Sequence, residues 1–136
     1  MKLLECHVDN FGKLSNYEYR FSESLTVIQE PNGFGKSTLA AFIKAMLYGF
    51  PRTAGRNVAG NERKKYLPWQ GGTYGGSLDF EFDGTSYRVW RTFGKTAAKD
   101  TFKLWDLTNR RESKQFSEKL GEELFQLDAE SFMRSV

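Results

Sequence analysis

The sequence is poorest in cysteine and histidine, with one residue of each among 136. A lone cysteine excludes an internal disulfide, and one cysteine with one histidine excludes a zinc site built from these residue types. The chain also has no run of about 18 apolar residues, and Glu5 interrupts its start before an apolar signal segment can form. We therefore expect a cytoplasmic protein without membrane contact, in which Cys6 is a buried strand residue.

The excess of one sign of charge over the other is also small. The 20 Lys and Arg residues and 17 Asp and Glu residues leave a net charge of only +3. That excess is compatible with an anionic partner but is too small to indicate nucleic-acid binding. Hydrophobic residues make up 39% and charged residues 27% of the chain, so it can bury a core and stay soluble. We predict one domain over residues 1–136.

A glycine-punctuated segment at residues 29–38 reads Gln-Glu-Pro-Asn-Gly-Phe-Gly-Lys-Ser-Thr. It matches the phosphate-binding pattern G-x-x-x-x-G-K-[ST], except that Glu30 replaces the first glycine. The pattern predicts Lys36 as the catalytic lysine between the β- and γ-phosphates and Ser37 as the Mg²⁺ ligand. Backbone N–H groups would bind the β-phosphate and Thr38 the α-phosphate; the predicted nucleotide-binding backbone is that of Asn32, Gly33, Phe34 and Gly35. The alternative is an ordinary glycine turn.

The flanks of this segment favour the nucleotide site. Residues 25–29 are a short β-branched run that predicts a buried strand leading into the loop. Beyond the loop, apolar residues recur at helical spacing and predict a helix that ends near Tyr48, capped by Gly49; they are Leu39, Phe42, Ile43, Met46 and Leu47. No guanine-reading motif follows, which favours ATP over GTP.

The rest of the chain predicts mostly antiparallel strands. Residues 2–9 and 16–22 are expected to pair around a turn at Gly12, and residues 101–107 to form a further strand. Asp83-Gly84 predicts a hairpin over residues 76–92, with a core face and a solvent face. Its expected pairs are Phe80 with Tyr87 and Leu78 with Val89 in the core, and Asp79 with Arg88 in solvent. Helices are predicted at residues 116–124 and 128–135, and a loop at 50–76 with at most a short strand at residues 66–67.

The Asn-Gly-x-Gly-Lys-Ser-Thr form at residues 32–38, preceded by the turn at residues 10–12 (Asn-Phe-Gly), resembles the N-terminal ATPase lobe of the SMC/SbcC/RecF group. Residues 65–69 (Lys-Tyr-Leu-Pro-Trp) and the Asp83-Gly84 hairpin are similar to bacterial YhaN-type AAA ATPases. The resemblance implies an α/β P-loop NTPase of the ABC/SMC head type, with an antiparallel β meander beside the P-loop helix.

The resemblance further implies the Mg-ATP-binding half of a head that hydrolyses ATP only with a C-terminal lobe, in DNA double-strand-break repair or chromosome maintenance. The signature segment, Walker B acids and switch histidine of that lobe are not found, so we expect an incomplete head whose partner is a C-terminal lobe or a second head. Lys13 stands near where relatives carry a nucleotide-contacting arginine; it either contacts nucleotide or faces solvent. Alternatives are an interaction module that binds nucleotide without hydrolysis and a self-sufficient kinase.

The loop at residues 50–76 is rich in cations beside aromatic side chains. Such a composition is used to track a nucleic-acid backbone and stack bases, so it predicts a DNA contact. The residues concerned are Arg52, Arg56, Arg63, Lys64 and Lys65, next to Tyr66 and Trp69. The alternative is a solvated loop whose Trp69 fills the domain's own core.

Overall fold

The computed structural model describes residues 1–21, 36–50, 62–69 and 71–125, without the side chains of residues 36, 37, 62 and 125. Six strands in these ranges form one antiparallel sheet in the order β2-β1-β3-β4-β5-β6. The strands are β1 (Lys2–Phe11), β2 (Leu14–Arg20), β3 (Gly75–Phe82), β4 (Thr85–Thr92), β5 (Thr101–Asp106) and β6 (Arg111–Glu112). The antiparallel pair around Gly12 and the meander are both confirmed.

The described helices are α1 (Lys36–Tyr48), α2 (Glu62–Lys65) and α3 (Leu120–Phe125), with a 3₁₀ turn at Ala97–Lys99. Helix α1 ends where the sequence predicts, and the N–H of Gly49, at φ +72°, donates to the carbonyl of Ala45 at 2.7 Å. None of the helices in the described ranges is long and apolar enough to cross a membrane. The strand predicted at residues 25–29 and the helix at 128–135 lie outside the described residues.

The structure differs from the prediction at two places. The predicted loop at residues 50–76 has no strand at residues 66–67, but it contains the helical turn α2, because the Glu-Arg-Lys-Lys sequence of that turn consists of helix formers. Helix α3 begins at Leu120 instead of residue 116. The side chain of Ser117 accepts from the N–H of Lys119 at 3.1 Å and donates to the Glu123 carboxylate at 3.0 Å, which is a local alternative to helical bonding before residue 120.

The β3–β4 hairpin has the predicted register. Asp83 and Gly84 both have positive φ, 52° and 81°, as a primed two-residue turn requires. Phe80 pairs with Tyr87, Leu78 with Val89, and Asp79 with Arg88. The last pair corrects the prediction of a solvent face, because the Asp79 side chain is only 7% exposed beneath an Arg88 guanidinium that donates to both of its oxygens at 2.7 and 2.9 Å.

The core lies between α1 and one face of the sheet, where α1 contacts β1, β3 and β4. All five apolar residues of the predicted helical stripe are buried. They meet buried side chains of the sheet: Val8, Leu78, Phe80, Val89 and Leu104. Cys6 is buried in β1 as predicted, and burial raises the pKa of its thiol to about 12.

Candidate functional site

Helix α1 begins at Lys36, the residue at which the phosphate-binding pattern predicts a helix to start. Its first turn contains no Asp or Glu, so no carboxylate of the helix opposes an anion at the positive end of the dipole. Several predicted site residues lie outside the described residues, namely Asn32, Gly33, Phe34 and Gly35, together with the side chains of Lys36 and Ser37. Their phosphate and Mg²⁺ roles remain predictions.

The turn between β1 and β2 lies against the start of α1. A Cβ built on Gly12 would stand 3.3 Å from Cγ2 of Thr38 and 3.2 Å from Cδ1 of Tyr66. Gly12 also has φ +59°, a conformation that side chains rarely adopt. Thr38 is buried, at 7% exposure. The turn that the family resemblance singles out is therefore next to the residue predicted to bind the α-phosphate.

Lys13 follows Gly12 directly and is exposed. Its backbone position at the β1–β2 turn brings it near the start of α1, since Gly12 is in contact range of Thr38. Lysine in that place can reach a phosphate as a point charge but cannot form the two-pronged contact of an arginine. A nucleotide contact by Lys13 stays a prediction.

Tyr66 joins the loop after α2 to this turn. Its carbonyl accepts the N–H of Gly12 at 2.6 Å, and its ring stacks on Phe11 with centroids 4.9 Å apart. The Phe11 ring also meets Phe42 of α1 edge-on at 5.4 Å. Packed aromatic rings and a backbone hydrogen bond thus join the turn, the loop and the helix.

At its opposite end α1 is bound by Arg91, a residue that the sequence analysis did not single out. The guanidinium donates to the carbonyls of Met46 at 2.7 Å, Leu47 at 3.3 Å and Glu118 at 2.6 Å. Burial lowers the pKa of Arg91 to about 10, which leaves it charged at neutral pH. A cation at the C-terminal carbonyls complements the helix dipole. The available signal was strand parity, because Arg91 falls on the same face of β4 as Tyr87 and Val89.

Arg63, one of the predicted DNA-contacting cations, is committed to an internal ion pair. Its guanidinium donates to both carboxylate oxygens of Asp100 at 2.6 and 2.7 Å and to the carbonyl of Gly94 at 2.9 Å. Its carbon Cζ lies 5.1 Å from the centre of the Phe50 ring. The hydrogen bond that Arg63 donates to the Asp100 carboxylate raises the pKa of Arg63. No local sequence pattern indicates this fixed role, since Asp100 is distant from Arg63 in the sequence.

Other described cations and an aromatic side chain of the predicted DNA-contacting loop at residues 50–76 are more exposed than Arg63. Lys64 and Lys65 are exposed, and Nζ of Lys65 stands 5.4 Å from the centre of the Tyr66 ring. Trp69 is 85% exposed, so the interpretation in which it fills the domain's core is wrong. Arg52 and Arg56 lie outside the described residues.

No group of three or more His, Cys, Asp or Glu residues that could hold a metal ion occurs within the described ranges. His7, on the sheet face away from α1, lies 3.1 Å from Asp9 and 3.7 Å from Glu18. The described carboxylates therefore add no metal site of their own to the one predicted at Ser37.

Two comparisons bear on this arrangement. A family model described as an AAA domain, AAA_23, matches residues 5–135. The chain is also 40% identical over 82 residues to a protein of Bacillus subtilis (strain 168) called "Uncharacterized protein YhaN". That match covers 60% of this chain and 8% of the relative, so the chain corresponds to a small part of the relative's length.

Proposed function

The chain belongs to the AAA_23 family of AAA domains, and on that premise we propose that it binds Mg-ATP at the amino end of α1. It is a P-loop NTPase domain with an antiparallel sheet, a nucleotide-binding type of fold. In the proposal Lys36 holds the β- and γ-phosphates, the Ser37 hydroxyl ligates Mg²⁺, and Thr38 binds the α-phosphate. The Mg²⁺ ion would neutralise charge on the phosphate oxygens when bound.

One observation supports the proposal most. The Gly-Lys-Ser-Thr sequence runs directly into a 13-residue helix whose first turn has no carboxylate. A helix start of this kind offers backbone N–H groups and a positive dipole end to an anion. The Gly12 turn packed beside Thr38 adds a wall on one side of that helix start.

Replacing the predicted phosphate-binding lysine tests the site. Lys36→Ala is expected to abolish Mg-ATP binding measured by calorimetry, because the ammonium group is the main side-chain charge on the phosphates. Lys44→Ala, on the same helix, is the matched control and is expected to keep wild-type affinity. Circular dichroism and thermal melting should show both variants folded. Unchanged affinity in folded Lys36→Ala would remove the site assignment.

We further propose that hydrolysis requires a C-terminal lobe, or a second head, that completes the γ-phosphate site. The support is the family membership and the small share, 8%, of the YhaN relative's length that the match covers. On the SMC/SbcC/RecF resemblance, we propose that the assembled ATPase acts in DNA double-strand-break repair or chromosome maintenance in the cytoplasm. Because Arg63 is bound to Asp100, the proposed DNA contact of the ATPase would depend on the other four cations, Lys64, Lys65, Arg52 and Arg56.

A second candidate is an interaction module that binds nucleotide without turnover. The observation in its favour is that β2 is an edge strand among the six strands of the described residues, with Tyr17 exposed by 36%, and an edge strand can pair with another chain. Mixing the chain with a separately produced C-terminal lobe of the family distinguishes the two. Rescued ATP turnover, stimulated further by duplex DNA, is expected for the half-head. Complex formation without turnover would support the module, and turnover indifferent to DNA would remove the DNA role.

A further inference from the structure

Two of the large hydrophobic side chains that are exposed in the described residues lie close together in sequence. Leu67 is 39% exposed and Trp69 is 85% exposed. The indole is the largest apolar surface a side chain can offer, and exposed aromatic groups mark contacts with other molecules. The position of Trp69 in the fold identifies the kind of molecule.

The segment that carries Trp69 is anchored on the β1–β2 turn before the indole. The carbonyl of Tyr66 accepts the N–H of Gly12 at 2.6 Å, and the Tyr66 ring lies on Phe11. Pro68, between Tyr66 and Trp69, is buried. The backbone on the amino side of Trp69 is thus fixed to the turn.

The segment is anchored on the same turn after the indole as well. The side-chain amide of Asn10 donates to the carbonyl of Thr73 at 2.9 Å. A Cβ built on Gly72 would stand 2.7 Å from Nδ2 of Asn10, which shows how closely the backbone approaches β1. Both anchors therefore hold the two ends of the segment that carries Trp69 beside residues 10–12.

Residues 10–12 adjoin the proposed phosphate site. A Cβ built on Gly12 would contact both the Tyr66 ring and the γ-methyl of Thr38. Three residues of chain span at most about 10 Å, so Trp69 lies within that distance of Tyr66. A nucleotide with its phosphates at the start of α1 extends its ribose and base beyond the α-phosphate, the group assigned to Thr38.

We propose that Trp69 stacks on the base of the bound nucleotide; this inference rests on the proposed function. The ligand class is a nucleoside triphosphate, as opposed to inorganic triphosphate, because stacking reads the flat face of a base and not its hydrogen-bonding edge. Lys65, with its ammonium 5.4 Å from the Tyr66 ring centre, adds positive charge beside the same surface. Trp69 thus supplies affinity for the base while α1 supplies affinity for the phosphates.

Calorimetry of the full 136-residue chain with Mg-ATP and with Mg-tripolyphosphate separates the two contributions. Trp69→Ala is expected to weaken Mg-ATP about tenfold, within the range for loss of one base stack, and to leave tripolyphosphate affinity unchanged. Trp69→Phe keeps a ring and is expected to recover most of the loss. Trp90→Ala is the matched control, since Trp90 is also exposed but lies on the sheet face away from α1.

Equal Mg-ATP affinity in wild type and Trp69→Ala would overturn the stacking inference, as would an equal loss of tripolyphosphate affinity. A wild-type chain that binds both ligands equally tightly would also overturn it while leaving the phosphate site in place. A wild-type chain that binds neither ligand would overturn the proposed function and the inference together.

Discussion

The two ends of α1 are built in opposite ways. At the C-terminal end a buried cation, Arg91, donates to three main-chain carbonyls, and Gly49 closes the helix with its own N–H. At the N-terminal end the first turn has no carboxylate, and Thr38 lies beside the Gly12 turn, which also contacts the Tyr66 ring. The protein satisfies the negative end of the dipole with its own charge and supplies no helix carboxylate at the positive end.

The difference separates stability from binding along a single helix. A charge that holds the C-terminal end contributes to the folded state whether or not a ligand is present. A helix start without its own carboxylate gains most from an external anion. Changes at the C-terminal end should therefore alter folding, and changes at the N-terminal end should alter nucleotide affinity.

The largest expected effect is at the C-terminal end. Arg91→Met removes the donors to the carbonyls of Met46, Leu47 and Glu118 in a buried site, and we expect the free energy of unfolding to fall by about 3 kcal/mol. Urea unfolding followed by circular dichroism measures the loss. Where the variant is folded, its Mg-ATP affinity should match the wild type.

Arg20→Met is the control, because the Arg20 side chain is 85% exposed. Its cost should be within about 0.5 kcal/mol of zero, as for other surface substitutions. Similar losses in the Arg91 and Arg20 variants would contradict the role given to Arg91. A folded Arg91→Met protein with greatly weakened nucleotide binding would contradict the inference that the C-terminal end of α1 affects stability and the N-terminal end affects nucleotide affinity.

A smaller effect is expected at the N-terminal end. Gly12→Ala places a methyl group at φ +59° against Thr38 and Tyr66, and we expect about 1 kcal/mol of destabilisation. Because the methyl group displaces the neighbours of Thr38, Mg-ATP affinity should also fall, by about tenfold. Calorimetry and urea unfolding give the two quantities.

Gly84→Ala is matched to this change, since Gly84 has φ +81° and nothing within 4 Å of a built Cβ. It should reproduce the backbone cost without altering nucleotide affinity. Equal Mg-ATP affinity in the two alanine variants would show that the Gly12 turn is not part of the nucleotide site. The difference between the two ends would then concern the residues of α1 alone.

Local patterns predicted the elements whose forces are local. The apolar stripe of α1, its end at Gly49 and the Asp83-Gly84 turn follow from spacing and from residues that tolerate positive φ. Alternation around that turn also gave the correct pairs of β3 and β4. The helical turn at residues 62–65 and the start of α3 at Leu120 were not predicted, because helix propensity over a single turn and local side-chain hydrogen bonds decide such marginal segments.

Local sequence patterns did not predict whether charged and aromatic side chains are buried or exposed. Asp79 seemed to face solvent by alternation, yet Arg88 folds over it. Arg63 was predicted to be a DNA-contacting cation and is bound to Asp100, whereas the alternative in which Trp69 fills the core is wrong because its side chain is exposed. The exposure of each side chain depends on how distant parts of the chain pack around it, and sequence spacing does not specify that packing.

The sequence by itself determined the family, the phosphate-binding pattern and the helix that follows it, because these are encoded in contiguous residues with fixed spacing. Only the tertiary structure decided that Gly12 lies beside both Thr38 and Tyr66 and that Arg91 binds the carbonyls at the far end of α1. Those contacts join residues distant along the chain, and their geometry is set by how the sheet packs on the helix, which no local pattern records.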